Sequence, residues 1–335
     1  MKRKISLSLL FWLNINILIY SQAGQGVYKF LDLPVSSRIA GLGGTNVSIR
    51  DNDLNFAFRN PALLTANTHH SIALNYANYL SDIQFGSVIF GENFKDKHYT
   101  AYGIQYVDYG TFKETTEQNE IIGEFTAKDM AFYIMYAYPL NEKITVGGTF
   151  KPVYSVYERY SSFGLALDAG ISYNDINNLF SLGLVLRNVG TQLKGYYSDE
   201  EGQHYEALPF DIQLGATKKL AHAPLRFSFT LHNLQNWDME YLSSTGTKKI
   251  DFFDNLFRHF IVGLEFIPSN NFYLIAAYNY RQSKEMKIED FKSMAGFSFG
   301  GGVKLYKFQV GFGVNTFQVG NYSYQFSIAT SLDAF

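Results

Sequence analysis

From about residue 70 to its end the chain keeps a period of two, and few folds accept that pattern over so long a stretch. In "LRFSFTLHN", Leu225, Phe227, Phe229 and Leu231 fall on one face, and Arg226, Ser228, Thr230 and His232 on the other. "NYSYQFSIATSL" sets Tyr322, Tyr324, Phe326 and Ile328 against Ser323, Gln325, Ser327 and Ala329, and "FGLALDAGISY" repeats the pattern. These are strands with one oily face and one polar or small-residue face. A soluble sandwich alternates too, but its wet face is usually rich in Lys, Glu and Thr. Here the second face is Gly, Ala, Ser, Asn and Gln with single scattered charges, which suits a crowded lumen. The segments run about 9 to 13 residues, the length that crosses a bilayer at a tilt, whereas globular strands cluster near 5 to 6 residues.

Fourteen such segments can be read, near 71–79, 82–90, 98–107, 127–138, 143–155, 162–173, 180–190, 209–219, 225–234, 257–267, 272–281, 291–304, 307–316 and 322–332. An even number is expected of a bacterial outer-membrane barrel whose termini share one side. Tight turns at 139–142, 174–178, 221–224 and 268–271 alternate with longer connections at 108–126, 191–208, 235–256 and 282–290. Short outer connections fall near 80, 156–161 and 317–321. The expected fold is therefore all-β, a 14-stranded antiparallel transmembrane β-barrel over 70–335. The aromatic terminus, Phe335, resembles the recognition signal of the outer-membrane assembly machinery.

Composition supports this reading: 17% of residues are aromatic, with 25 Tyr and 30 Phe against only 7 Pro. No run after residue 24 is long and apolar enough for a transmembrane helix. Cysteine is absent, so neither disulfides nor a lipidated cysteine anchor is available. A net charge of −2 gives no electrostatic case for nucleic acid. The opening, Lys2, Arg3 and Lys4 before an apolar stretch and then Ser21, Ala23 and Gly24, has the layout of a signal peptide over 1–21, with an uncleaved anchor helix as the alternative.

No motif nominates a catalytic residue, a cofactor or a metal. "GFSFG", Gly296 to Gly300, fits G-x-S-x-G, but strand alternation continues through it where a nucleophile elbow needs a turn into a helix. Asp51, Asp53 and Asn55 have the spacing of a calcium loop's first ligands, yet Phe56 and Ala62 stand at its glycine and glutamate positions. A polar turn, a helix cap and an oxygen-ligand ion site all stay open for that run. His69 and His70 are adjacent, without metal-site spacing to any other ligand. His232 sits on a polar strand face with no identifiable serine partner. The chain is not expected to be an enzyme.

Between signal and barrel, residues 22–69 are glycine- and asparagine-rich but keep Leu42, Val47, Ile49, Phe56 and Phe58, which want burial. "GLGGT" lacks the spacing and the lysine of a phosphate loop. What remains is a plug packed against or into one end of the barrel, with Gly41, Gly43 and Gly44 permitting close backbone approach and Asn60-Pro61 fixing the turn toward the first strand.

Ser37-Arg38, "GLGG", the Asp/Asn patch and "RNPALL" resemble the N-terminal signature of the PorV/PorQ family of outer-membrane proteins, PorQ more than PorV. That family is similar in architecture to the FadL fatty-acid transporters, fourteen-stranded barrels with an N-terminal plug. The resemblance implies a place in the bacterial outer membrane and in the type IX secretion system of Bacteroidetes. The PorQ-like role is to anchor a surface subunit of the cargo attachment complex; the PorV-like role is to shuttle the signal domain of secreted cargo. Its implied partners are that surface subunit or cargo domain, together with outer-membrane lipid and lipopolysaccharide. The outer loops add Tyr196, Tyr197, Trp237, Tyr241, Phe252 and Phe253, a composition typical of contact surfaces or of an aromatic girdle. Rival readings are a FadL-like transporter of hydrophobic small molecules, with Pro152 marking a possible lateral gap in a strand, and an outer-membrane hydrolase.

Overall fold

The computed structural model describes residues 26–95, 97–199, 202–237, 240–243, 246–249, 251–286, 294–317 and 321–335; the signal peptide expected over 1–21 lies outside them. The strands are β1 (Ser71–Asn78), β2 (Gln84–Phe94), β3 (His98–Thr115), β4 (Ile121–Pro139), β5 (Ile144–Tyr157), β6 (Tyr160–Asp175) and β7 (Phe180–Lys194). There follow a small hairpin, β8 (Ser198–Asp199) and β9 (Gly202–Gln203), then β10 (Asp211–Lys219) and β11 (Leu225–Leu231). After a second hairpin, β12 (Glu240–Ser243) and β13 (Gly246–Lys249), come β14 (Phe260–Ser269), β15 (Phe272–Asn279), β16 (Phe297–Leu305), β17 (Phe308–Thr316) and β18 (Tyr322–Ser331).

Leaving aside the two hairpins, fourteen strands close into one antiparallel barrel, in which each pairs with its sequence neighbours and β1 pairs with β18. Alternation explains the closure. On β1, Leu74 and Tyr76 are exposed on the outside while Ala73, Asn75 and Ala77 are buried within. The outer face is apolar around the whole circumference: Ile104, Phe132, Leu167, Leu184, Phe229, Leu264, Phe299 and Phe326 all face outward. A soluble protein could not show that surface to water, so this is a transmembrane barrel of the bacterial outer membrane. Aromatic neighbours meet across strands on that face, as where Phe312 opposes Phe326 with ring centroids 5.1 Å apart.

The connections at the end that holds both chain ends of the barrel are all short, and this is the periplasmic end by outer-membrane topology; at the other end β1–β2, β5–β6 and the 317–321 connection are short too. The opposite end carries the long loops, with both hairpins and the helices α2 (Phe252–Arg258) and α3 (Tyr280–Glu285). One expected loop is not a loop. Where the sequence suggests a connection over 108–126, β3 and β4 run on as a two-stranded ribbon, Phe112 stacked on Phe125 at 5.2 Å. Both faces of that ribbon are wet, so its polar, charged alternation lacks the oily side that marks the bilayer strands.

The lumen is filled. Residues 26–70 thread it from the outer end toward the periplasmic end and then turn into β1. The amide of Val27 donates to Ala207 O in an outer loop, whereas Ser48 Oγ meets Thr217 Oγ1 and Ser48 O accepts from Ser181 Oγ, both near the periplasmic ends of their strands. Fully buried Phe56, Phe58, Ile39, Leu42 and Leu64 form the centre of this plug.

Candidate functional site

The site is the plugged lumen and the cavity above it. Helix α1 (Ser37–Gly41) opens with the Ser36 side chain accepting from Ile39 N at 3.3 Å, and it ends where Gly43, at φ 87°, returns the Gly44 amide to Ile39 O. The helix lies flush on the inner wall of β16 and β17. A Cβ on Gly41 would sit 3.2 Å from Gly300 Cα, and one on Gly313 would sit 2.2 Å from Ser37 O. A Cβ on Gly43 would strike Ile261 at 2.5 Å; Gly44 has open space and is needed for its φ of 99° instead. The outer face of the same wall is hollow too: Gly301 leaves a groove of about 460 Å³ among Leu274, Phe299 and Phe312. Asn60 caps the turn Pro61–Leu63 through Ala62 N at 3.0 Å and donates to Val47 O at 2.9 Å. Its Oδ1 occupies the space of a side chain at Gly170, and Pro61 presses on Gly147.

Charge fastens the plug toward the periplasmic end. Arg38 lies 2.7 Å from Asp51, 3.2 Å from Asp53 and 3.1 Å from Glu265 on β14. Arg226 on β11 completes the cluster, 2.5 Å from Glu265 and 3.1 Å from Asp51. Phe56 and Tyr273 flank the Arg38 guanidinium, each ring centroid 5.0 Å away. Burial pushes Asp51 up, but Arg38 and Arg226 together hold it well below the usual carboxylate range; burial and the neighbouring Asp51 lift Asp53. The oxygen-rich run that resembles a calcium loop thus does bind a cation, and the cation is a guanidinium.

Higher up, Arg59 and Arg187 carry the chain segment Lys29–Asp32. Arg59 donates to the carbonyls of Leu31, Asp32 and Leu33, and Arg187 to Leu31 O at 3.0 Å, with Asp32 at 3.5 Å. Burial beside Arg187 lowers Arg59 to about 9. Over this floor opens a cavity of about 330 Å³ at the outer mouth. Leu33, Pro34, Tyr79, Ile261, Met286 and Phe317 give it an apolar side, Tyr79 lying edge-on to Phe317 at 5.2 Å. Lys29, Arg59, Arg187 and Arg281 face it as cations, against Asp32, Asp211 and Glu285.

The wall is irregular between β4 and β7. Pairing of β5 with β6 is continuous through Pro152, but its ladder to β4 skips from Ala131↔Val153 to Ile134↔Phe150, since proline has no N–H to offer. Nearby, β6 and β7 shift register at Asn188, which has φ 56° and whose amide is capped by Asp168 at 2.7 Å. Fully buried Lys151 seals this stretch from within, 2.6 Å from Asp168, with the Tyr133 ring 5.6 Å from its Nζ.

The aromatic loop residues form separate groups. Tyr196 is half-buried, its hydroxyl donating to Ser155 and its ring against Tyr157 at 5.3 Å; exposed Tyr197 stacks on His204. Trp237 packs on His259 at 4.5 Å, Tyr241 lies on β12, and Phe252 and Phe253 project from α2, both exposed. Among the described residues no ring contact joins the first pair to the rest. Ser298 points inward from an uninterrupted β16, and His232 exchanges hydrogen bonds with His259. The residues that sequence reasoning missed are the arginines: Arg38 and Arg59 are visible only as parts of the N-terminal motif, Arg226 only as one residue of a polar strand face, and Arg187 carries no local signal.

Solved structures place the fold. The Pseudomonas putida toluene transporter TodX aligns over 89% of this chain and 97% of its own, with TM-score 0.53 at 11% identity. A Pseudomonas aeruginosa FadL homologue covers 92% of this chain and 100% of its own at TM-score 0.52 and 12% identity. The CymD monoaromatic hydrocarbon channel covers 89% and 97% at TM-score 0.51 and 14% identity. The chain has the fold of the FadL-type channels. No protein-family model matches it, and no curated protein matches it in sequence. These likenesses overturn the assignment to PorV/PorQ and to type IX secretion, and with it the surface subunit, the cargo signal domain and lipopolysaccharide as partners. The physical reason is in the plug: "GLGG" and "RNPALL" are spent on fitting α1 and Asn60-Pro61 against glycines of the wall. Such residues report how a plug seats in a barrel of this type, and carry nothing about an external partner.

Proposed function

We propose that the protein is a non-catalytic outer-membrane channel for small, largely apolar molecules, which it takes up at the outer cavity and passes only when the plug shifts. The observation that carries this reading is the cavity of about 330 Å³, open to the outer mouth and floored by the plug. Its volume suits a single small molecule. The similar folds of TodX, a toluene transporter, and CymD, a monoaromatic hydrocarbon channel, support the same class of cargo. The lining refines it. One side is apolar, and four cationic groups face three anionic ones on the rest, so a ring or short chain ending in a polar or acidic group fits better than a bare hydrocarbon. The apolar body would lie on Tyr79 and Phe317 and the polar end near Arg187.

The test is uptake of labelled toluene and of labelled benzoate by cells that lack other channels for them, with and without this protein. Faster entry of either, reduced severalfold by Phe317→Lys, is the expected result. Entry no faster than in cells without the barrel, for both compounds, would refute the proposal.

A further inference from the structure

We propose that the periplasmic rim carries a zinc-type divalent metal site built from His69, His70 and Glu92, a reading that does not depend on the transport proposal. In extended backbone two consecutive side chains point to opposite sides. Here His70 adopts φ 50°, the left-handed region that costs a non-glycine residue conformational energy. The consequence is that both imidazoles turn the same way and stack, with ring centroids 3.7 Å apart and planes 25° from parallel. Both then border one carboxylate: His69 Nδ1 is 3.2 Å from Glu92 Oε1, and His70 Nε2 is 3.5 Å from Glu92 Oε2. One ligand atom from each of the three residues lies within 4.8 Å of the others. A zinc ion about 2.0–2.2 Å from tetrahedral nitrogen and oxygen ligands sets them about 3.4 Å apart, the spacing each imidazole already has to Glu92.

A further carboxylate strengthens the case. Asp333, in the C-terminal turn, lies 2.6 Å from His70 Nδ1. That contact leaves Nε2 as the lone-pair nitrogen facing Glu92, the arrangement by which an outer carboxylate orients and sharpens a metal-binding histidine. His69 Nδ1 accepts from Asn93 N at 3.1 Å, a bond that metal would exchange for coordination. All three side chains are partly exposed, so an ion has access from the periplasm. Two imidazoles and one carboxylate suit Zn²⁺ over Mg²⁺ or Ca²⁺, which favour oxygen-only shells. The residues come from three places, the end of the plug, β2 and the C-terminal turn, and Leu332 N already donates to His70 O at 2.8 Å. A bound ion would therefore staple the plug's exit to the seam between the first and last strands.

The experiment is zinc binding to the full mature barrel, purified in detergent with a tag that contains no histidine. Equilibrium dialysis with Zn²⁺ alone reads stoichiometry and affinity, and heat-dependent gel mobility reports that each variant is folded. One saturable zinc per barrel is expected, lost in folded His70→Gln and in Glu92→Gln, and weakened about 10- to 100-fold in Asp333→Asn. Zinc should also raise the unfolding temperature of the wild type and leave that of His70→Gln unchanged. Absence of saturable binding, or binding that survives in His70→Gln, overturns the site.

Discussion

Two sectors of the same wall hold the plug by opposite means. Against β16 and β17 the plug touches bare backbone: α1 rests backbone to backbone on Gly300 and Gly313, and the small Ser37 hydroxyl fills the space at Gly311. On the β11 and β14 side it is held by Arg38 and Arg226 among three carboxylates. The first contact is steric and all-or-none, because close packing tolerates no added atom. The second is electrostatic, and it weakens by degrees. A plug that must seat firmly yet move for cargo can use both, one to define its position and one to set how readily it leaves.

The comparison breaks most sharply at Gly313→Val. Its Cβ alone would fall 2.2 Å from Ser37 O, so α1 cannot seat. Single-channel recordings should show large, persistent conductance where the wild type is closed; a silent, folded barrel would show that the flush contact is not what occludes the lumen. Next comes Arg38→Ala, which leaves Asp53 without a cation and Asp51 and Glu265 with Arg226 alone, and is expected to cost about 3–5 kcal/mol, as for other broken buried ion pairs. Hydrogen exchange should then speed up over residues 36–64 while the strands stay protected. Uniform loss of protection would mean that the cluster supports the barrel and not the plug specifically.

Lys151→Met tests whether charge near β5 and β6 acts likewise. Alone it leaves fully buried Asp168 without its cation and should destabilise by about 3–5 kcal/mol, whereas the double change with Asp168→Leu should recover part of that loss, falling short of wild type by about 1–3 kcal/mol for an uncapped Asn188 amide. A double variant as unstable as the single would show that the pair is needed for the register shift at Asn188. The smallest effect is expected of Pro152→Ala. It restores a donor facing β4, worth about 1 kcal/mol, and should slow any sideways escape of cargo without altering channel conductance.

The barrel was legible because bilayer strands must alternate along their whole length. The expected strand at 225–234 is β11, Leu225–Leu231, and that at 322–332 is β18, Tyr322–Ser331. Ends were less legible: residues 252–258 form α2, and the ribbon beyond the rim of β3 and β4 has no lipid face to betray it. The burial demanded by Phe56 and Phe58 was readable from their type, and both lie in the plug centre. What could not be read was which distant residues meet there. Glu265 lies 227 positions from Arg38, and nothing near either names the other. The N-terminal signature misled for a related reason, since residues that satisfy packing resemble one another wherever a barrel of this shape holds a plug.

The seam between β1 and β18 has a consequence for biogenesis. The plug runs straight into β1, and β1 pairs with the last strand made. Once that ladder zips, a chain segment filling the cylinder has no sideways entrance. A plug already inside when the ladder closes needs no route through either mouth, and the pairing of β1 with the final strand then locks the plug's tether into the wall.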